Sequence, residues 1–264
     1  MTTEQQREQY STFHRFQRSR EKTYAPKINK ALKEQVNTFI QQKRKGESDA
    51  VAFNHITSQG LYDTLKPLYL DAGITYGAKT IANLRKQKAR MPIGFNEKMA
   101  ELLNQYFKLD LLNGVEDITA YTRELIRNVL IEGYPLGWSF DAIVNRLQSA
   151  DFTAARARLI ARTETVTASN TGAHLAAKTT GLKLNKIWIA ATDNRTRRSP
   201  RNHFDHLHMN GVIVGYDEYF KVSGENLLHP GDRKHNASAG NICNCRCTVG
   251  HIPLRDSNGK LVMN

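Results

Sequence analysis

Helical periodicity over the first two thirds of this 264-residue chain constrains its fold more than any other sequence feature. Between Ile28 and Gln42, apolar residues recur at three- and four-residue intervals, which places them on one face of a helix. Residues 1–48 are predicted to be helical and strongly polar, and a flexible arm is the alternative for the first twenty, which have little apolar content. Further helices are predicted over residues 50–90, 95–113, 116–132, 140–149 and 153–178, with interruptions near Pro67, Gly73 and Asn113–Gly114 and an N-cap at Ser139.

The pattern changes after Gly181, where short β-type runs replace the helical periodicity. Residues 186–190, 212–214 and 247–252 have the composition of short strands, and clusters of Gly, Pro, Asn, Asp and Ser separate them. The sequence therefore predicts an α+β fold in three parts. These are a helical N-terminal region over residues 1–150, a small mixed α/β C-terminal domain with short strands over residues 151–255, and a flexible tail over residues 256–264.

The formal net charge is +13, from 38 basic and 25 acidic side chains, and it favours polyanionic surroundings such as nucleic acid or an acidic protein surface. The basic run from Lys79 to Arg90, followed by a helix break at Pro92, is typical of a solvated helix face. Contact with DNA or a partner is the alternative interpretation of that run. No stretch approaches the roughly 18 consecutive apolar residues that span a bilayer, and the polar N-terminus lacks the apolar core of a signal peptide. We therefore expect assembly in a cytoplasm and no membrane partner.

Cysteine and histidine are concentrated near the C-terminus. The three cysteines are Cys243, Cys245 and Cys247, and seven of the nine histidines follow residue 170. An odd number of closely spaced cysteines is a poor disulfide framework, so a reduced compartment is expected. Cys245 and Cys247 could share a zinc ion with a histidine, for which His203, His206, His208 and His229 are available. The alternative is that the thiols pack as small apolar groups and the histidines form hydrogen bonds in loops.

Charged residues near position 195 allow two interpretations. Arg198 and Arg201 are predicted to face solvent or a partner such as nucleic acid, because guanidinium groups pair well with phosphate. Arg195 and Arg197 lie beside Asp193 in a predicted turn, where a structural role is favoured. Arg162 and Glu164 are two residues apart on a helix, so they point to different faces and each is expected to bind a separate neighbour.

Four motifs in a fixed order resemble the C-terminal domain of the phage Mu protein F-like, or head-morphogenesis, minor capsid proteins. They are Ile160–Glu164 (IARTE) with Asn170 and Gly172; Trp188 with Asp193, Arg195, Thr196 and Arg197, leading to a histidine and a glycine; Pro230–Asp232; and Asn244–Cys247. The family histidine is carried over to His206, five residues before Gly211, and His203 falls in an apparent insertion. Cys243 is an extra cysteine beside the family pair. The resulting set of family-motif residues is Arg162, Glu164, Asp193, Arg195, Arg197, His206, Gly211, Pro230, Asp232, Asn244 and Arg246, and the candidate metal ligands are Cys245, Cys247 and His206.

The resemblance implies a minor capsid or head-morphogenesis protein of a tailed bacteriophage that acts through structure and interactions. Its expected location is the virion, at the portal or the capsid interior, and its expected partners are the portal protein, the major capsid protein and packaged DNA, with which it would be ejected. Two alternatives stay open. One is an injected effector enzyme, a nuclease or a transferase, that uses Arg162, Glu164, Asp193 and His206. The other is a zinc-stabilised module that binds nucleic acid.

Overall fold

The structure, a computed structural model, describes residues 1–85, 94–235 and 237–264, and within these ranges the chain forms seven helices and five strands. The predicted α+β class is confirmed. The helices are α1 (Thr3–Arg44), α2 (Asp49–Asn54), α3 (Gln59–Arg85), α4 (Phe95–Gly133), α5 (Phe140–Leu147), α6 (Ala150–Lys178) and α7 (Ala239–Ile242). The strands are β1 (Leu184–Ile189), β2 (Ile213–Gly215), β3 (Phe220–Val222), β4 (Glu225–Leu227) and β5 (Thr248–Pro253). The end of the predicted basic run, residues 86–90, and the predicted helix break at Pro92 lie outside the described residues.

The N-terminal segment is helical, as predicted for residues 1–48, and the alternative of a flexible arm over the first twenty residues is wrong. Helix α1 begins at Thr3, and the side chains of Phe13 and Phe16 on its early turns are buried. The Phe13 ring packs edge-on against Tyr76 at a centroid distance of 5.1 Å. Two aromatic residues three positions apart are enough to hold this polar stretch against a neighbouring helix, because each buries a large apolar area.

Three predicted interruptions are absent, because α3 runs through Pro67 and Gly73, and α4 runs through Asn113–Gly114. A proline inside a helix removes a backbone hydrogen bond and costs about 3 kcal/mol. The buried side chains of Leu65 and Leu68 flank Pro67, and their burial offsets that cost. Tertiary packing therefore overrides the local signals of these residues.

A three-stranded antiparallel sheet has the order β2-β1-β5, and β3 and β4 form a separate hairpin. Lys186 in the central strand lies opposite His251 of β5 and opposite Val214 of β2. The hairpin turns through Ser223 and Gly224, both at positive φ, as a two-residue hairpin loop requires. The three predicted strands of the sheet are confirmed. The hairpin was not predicted, because β4 (Glu225–Leu227) is short and contains Glu and Asn, which are uncommon in strands.

The chain divides into two compact units, each assembled from segments that are distant in the sequence. One unit contains Met1–Glu21, Leu68–Tyr106 and Arg162–Asn264, including every strand in the described part of the chain. Within it, the last residues pair with the loop before β1, since the backbone N–H of Lys183 donates to Val262 O at 2.9 Å. The other unit contains Lys22–Pro67 and Phe107–Ala161. The domain boundaries that were predicted from the sequence, at residues 150 and 255, stay predictions.

The second unit has its own apolar core. Phe39 and Ile40 of α1 pack there with Ile56, Ile126 and other buried side chains from α2, α4 and α5. A buried amide of Gln35 donates to Thr119 Oγ1 at 2.9 Å within this core. As predicted, Ser139 caps α5 by accepting a hydrogen bond from the backbone N–H of Ala142. In the described ranges, none of the helices has the length and apolarity needed to cross a membrane.

Gly172 marks a close approach between α6 and α3 inside the first unit. A Cβ atom at Gly172 would lie 2.1 Å from the carbonyl oxygen of Gly73. We therefore expect Gly172→Ala to lower the free energy of unfolding by about 3 kcal/mol or more, because a backbone atom blocks the methyl group. Gly60→Ala is the matched control, since a Cβ there meets nothing closer than 3.8 Å. Urea denaturation of both variants measures the difference, and equal stabilities would show that the helices do not meet at Gly172.

Candidate functional site

Three buried side chains converge beside β5. His206 Nδ1 lies 3.6 Å from Cys245 Sγ and 3.7 Å from Cys247 Sγ. The three candidate ligand atoms all lie within 4.8 Å of one another, and each residue is at most 3% exposed. The structure thus brings together the three residues that were predicted from the sequence as candidate metal ligands. Cys243 and the other candidate histidines, His203, His208 and His229, are outside this group as the described residues define it.

The local backbone explains how the two sulfurs meet. Cys245 lies in the turn between α7 and β5, not on an extended strand, and Asn244 before it has a φ of +59°. The backbone N–H of Cys247 donates to Cys245 Sγ at 3.4 Å. The turn therefore supplies the convergence that a flat C-x-C strand, with its Cα atoms about 6.6 Å apart, would lack.

Asn241 fixes the orientation of the His206 ring. The ring atom His206 Nε2 lies 3.0 Å from Asn241 Oδ1, so Nε2–H donates to that oxygen and Nδ1 faces the two sulfurs. Asn241 is fully buried and is itself held by Glu225 Oε2 at 2.7 Å. Trp188 packs edge-on against the same imidazole at a centroid distance of 5.5 Å. An imidazole oriented in this way by its second nitrogen is the usual arrangement of a metal-binding histidine.

The two buried thiols share their protons unequally. A hydrogen bond from the Cys247 thiol lowers the pKa of Cys245 well below its usual value, and His206 lowers it further. The same hydrogen bond raises the pKa of Cys247 well above the usual value for a thiol. One thiolate is therefore stabilised at this position, whereas burial raises the pKa of the neighbouring Cys243.

Arg162 anchors α6 to α1 and to the turn before the cysteines. Its guanidinium donates to both carboxylate oxygens of Glu21, at 3.0 and 2.6 Å, and to Asn244 Oδ1 at 2.6 Å. The next residue, Thr163, accepts a hydrogen bond from the backbone N–H of Asn244 at 2.9 Å. Arg162 and Asn244 therefore act together, and they hold the positive-φ turn that positions Cys245.

Glu164 points to the opposite side of α6 and is 1% exposed. Its two oxygens accept hydrogen bonds from the hydroxyl group of Tyr69 and from the guanidinium of Arg233. Burial by itself would lower the pKa of Arg233, but the adjacent Glu164 carboxylate raises it. The pair is thus a buried, mutually compensated interaction between α6 and the loop after Pro230–Asp232.

Removing one member of that pair should be costly. Arg233→Met leaves the Glu164 carboxylate buried without its counter-charge, so we expect a loss of about 3–5 kcal/mol of unfolding free energy. Arg195→Met is the control, since Arg195 pairs with Asp193 near the surface, where its side chain is 58% exposed, and exposed pairs contribute at most about 1 kcal/mol. Guanidinium denaturation measures both losses, and a small loss in Arg233→Met would contradict the burial of Glu164.

The turn around Asp193 has the structural role that its sequence indicates. Asp193 accepts hydrogen bonds from the backbone N–H and the guanidinium of Arg195, and these lower the pKa of Asp193 although burial opposes the shift. Arg197 donates instead to the carbonyl oxygens of Asn241 and Cys243 at the end of α7. Gly211 has a φ of +83°, and its N–H donates to Trp188 O at 2.9 Å, which ties the turn before β2 to β1.

Asn170 is the organising residue of the remaining motifs. Its amide donates to Pro230 O at 2.9 Å and Cys247 O at 3.1 Å, and its oxygen accepts from Thr248 Oγ1 and Val249 N. The buried Asp232 carboxylate accepts from the backbone N–H groups of Leu228 and Lys234 and contacts His235. Asn170 was part of a predicted motif. The spacing of that motif did not indicate that Asn170 joins the Pro230 loop to the cysteine segment.

The remaining arginines differ in exposure. Arg201 is exposed, and Arg198 is half-buried with no hydrogen-bond partner for Nε within the described part of the chain. Arg246 is half-buried, and burial together with the nearby Arg162 and Arg195 lowers its pKa. Neither Glu164 nor His206 is available to a substrate, since each is buried and engaged by neighbours. The motif residues are thus used mainly to connect α6, α7 and β5.

Comparisons with known proteins identify sequences that are similar to this chain. Residues 124–250 match the family described as Phage Mu protein F like protein. The chain is 26% identical over 251 residues to Minor head protein GP7 of Bacillus phage SPP1, covering 91% of this chain and 74% of that protein. It is also 28% identical over 162 residues to NAD(+)–arginine ADP-ribosyltransferase EFV of Enterococcus faecalis, covering 56% of this chain but only 31% of that longer protein. The search of solved structures found no significant match.

The family match spans the end of α4, all of α5 and α6, the strands β1 and β2, the hairpin, the cysteine turn and the first half of β5. It includes all four motifs, in the order in which the sequence presents them. Residues 124–250 of this chain are therefore similar to the Phage Mu protein F-like family.

Proposed function

We propose that this protein acts in bacteriophage head morphogenesis as a minor component of the head. The observation that carries the proposal is the similarity to a minor head protein along 91% of the chain, together with the family match over residues 124–250. A match of this extent includes the helical region as well as the family segment. Similarity over 91% of the chain, and not one shared motif, therefore supports the proposal.

The geometry supports a role in structure and binding. Arg162, Glu164, Asp232 and Asn170 all bind other parts of the same chain. Motif residues used in this way stabilise a fold and leave its outer surface free to bind partners. We place the protein at the portal or the capsid interior, in contact with portal or major capsid protein. The net charge of +13 and the exposed Arg201 suit contact with packaged DNA, with which the protein would leave the particle.

Purified particles test this proposal. Quantitative mass spectrometry of intact particles should find the protein at low copy number relative to the major capsid protein. Particles emptied of DNA by ejection should contain less of it. A protein recovered from infected-cell extract but never from intact particles would contradict the proposal. Retention of the full copy number after ejection would contradict only the proposed exit with DNA.

For the candidate metal centre we propose zinc in a structural role. Two thiolates and one imidazole form a soft donor set that suits zinc, and their ligand atoms already lie within 4.8 Å of one another. The ligands come from the Asp193–Gly211 segment and from the turn before β5, so the ion would join these two parts of the first unit. Structural zinc is usually four-coordinate, so water or a further ligand would complete the site.

The alternative of an injected enzyme has one supporting observation, the similarity to an ADP-ribosyltransferase over 162 residues. That segment is less than a third of the enzyme, and the candidate catalytic residues Glu164 and His206 are buried here. Incubation of the purified protein with labelled NAD⁺ and arginine-containing acceptors tests the transferase. We expect no label transfer, and transfer that is abolished in Glu164→Gln would favour the enzyme.

A further inference from the structure

A basic surface lies along the early turns of α1, within the first unit. It consists of Tyr10, His14 and Arg18 of α1 together with Arg195 and Arg246. The three residues of α1 follow one another at four-residue intervals, so they share one face of the helix. The rings of Tyr10 and His14 are stacked, with centroids 5.8 Å apart, and both are half-buried.

Two hydrogen-bonded contacts hold α1 alongside the segment that contains Arg246. Gln9 Nε2 donates to Val249 O at 2.9 Å. Further along α1, Glu21 is bound by Arg162, which also donates to Asn244 Oδ1. The two lengths agree, since the helix from residue 9 to residue 21 spans about 18 Å and an extended chain from residue 244 to residue 249 spans about 17 Å. Arg246 therefore lies beside α1, within the stretch between these two contacts.

Arg18, Arg195 and Arg246 all act electrostatically on the same imidazole. Burial lowers the pKa of His14, these three arginines lower it further, and Asp193 opposes the shift. Because the effect of one charge on another falls with distance, three separate segments of the chain bring positive charge to one place. These charges repel one another in the free protein, and an anion bound between them removes that repulsion.

Two carboxylates lie among the arginines, and each is already paired. Asp193 and Arg195 approach to 2.6 Å, and so do Glu21 and Arg162. Each pair is close to neutral in net charge, so neither pair strongly repels an approaching anion.

Arg18 and Arg246 carry charge that no carboxylate neutralises by an ion pair in the described ranges. Arg18 is exposed and Arg246 is half-buried. Glu8, another carboxylate of α1, lines the cavity that α1 forms with α3 and β5. The basic surface therefore has positive charge that is available to a partner.

We propose that this basic surface binds the phosphate backbone of double-stranded DNA, without regard to base sequence. Arg18, Arg195 and Arg246 pair with phosphate oxygens, and the Tyr10 hydroxyl group and the His14 ring add hydrogen-bond donors. From Tyr10 to Arg18 the surface covers about 12 Å of helix, which matches three or four successive phosphates of one strand. The inference rests on the proposed contact with packaged DNA and assigns that contact to named residues.

A short duplex of mixed sequence with a fluorescent label is the probe, and anisotropy titrations at several salt concentrations measure its affinity for the full chain. Arg18→Gln and Arg246→Gln should each weaken binding roughly five- to tenfold near 0.1 M salt. Each should also lower the slope of log affinity against log salt by about 0.9, the contribution of one phosphate contact. Arg44→Gln is the matched control, since Arg44 is an exposed arginine at the last residue of α1 and the change in net charge is the same. It should bind DNA like the wild type.

Folding is checked by melting temperature and zinc content, because Arg246 lies between two candidate zinc ligands. Arg18→Gln should leave both unchanged, since Arg18 is exposed and has no ion-pair partner in the described ranges. It therefore keeps the test decisive if Arg246→Gln is unstable.

The possible outcomes separate this surface from the wider proposal. If the wild type binds the duplex but Arg18→Gln binds as tightly as Arg44→Gln, the surface is wrong and the DNA contact belongs to other residues. If the wild type does not bind the duplex, the surface and the proposed contact with packaged DNA both fail, and the copy number in purified particles still decides the role in the head. Competition by poly-glutamate as effective as that by unlabelled duplex, at equal charge concentration, would overturn DNA as the ligand in favour of an acidic protein.

Discussion

Zinc should copurify with this protein at one ion per chain, and its loss should cause the largest destabilisation of any change at the cysteine turn. Cys245→Ser removes a buried ligand whose sulfur lies 3.6 Å from His206 Nδ1. Binding of structural zinc contributes on the order of 10 kcal/mol in small zinc domains. Because this unit also has an apolar core, we expect a loss of about 5 kcal/mol or more and a clear fall in melting temperature. Elemental analysis and thermal unfolding measure both effects.

Cys243→Ser is the matched control for that experiment. Cys243 is two residues earlier and half-buried, and it lies outside the group with metal-ligand spacing as the described residues define it. It should keep the zinc and most of the stability. A chelator should then lower the melting temperature of the wild type and of Cys243→Ser by similar amounts, and that of Cys245→Ser hardly at all. The zinc proposal would be contradicted if the purified protein contained no zinc and the chelator did not change its melting temperature. The cysteines would then act only as packing groups.

The three candidate ligands could be identified from sequence because motif order contains information that a single spacing lacks. Cys245-x-Cys247 by itself is not a usual zinc spacing, and four histidines were available as partners. The position of His206 five residues before Gly211 selected it from that group, and the structure places its Nδ1 atom against both sulfurs. The geometry of the site was not predictable, because it depends on the positive φ of Asn244 and on the buried amide of Asn241.

Partners that come from distant segments could not be inferred in the same way. The carboxylate that binds Arg162 belongs to Glu21, 141 residues earlier, and Tyr69 binds Glu164 across 95 residues. No local pattern in a single sequence encodes such pairs. Helix boundaries failed for a related reason. Pro67 and Asn113–Gly114 are strong local stop signals, yet the burial of neighbouring apolar residues keeps α3 and α4 continuous. The strands of the sheet were easier to predict, since their β-type composition contrasts with the helical region.

Acid should destabilise the protein through its buried histidines, of which His251 is one. Burial, Lys186 and His229 together lower the pKa of His251 from 6.5 to about 3. As the pH falls, His251 therefore binds a proton near pH 6.5 in the unfolded chain but only near pH 3 in the folded chain. The stability from the neutral ring is fully present above pH 6.5 and is lost as the pH falls toward 3. At about 1.4 kcal/mol per pH unit, the loss reaches about 5 kcal/mol over this window. His174 and His229, whose pKa values are also lowered chiefly by burial, add to the loss in the same direction.

His251→Phe isolates this contribution, because a phenyl ring cannot be protonated and suits a strand position. Unfolding free energies measured from pH 7.5 to 4 in phosphate-free buffer should fall less steeply in the variant than in the wild type, by up to one bound proton. His251→Gln provides the same comparison if the phenyl ring packs badly. His55→Gln is the control, since His55 is exposed and should leave the wild-type slope unchanged. Release of zinc in acid lowers both curves alike and cancels in the difference. If unfolding free energy falls with pH equally steeply in His251→Phe and in the wild type, His251 binds its proton in the folded protein as readily as in the unfolded chain. That result would contradict a buried neutral ring beside Lys186.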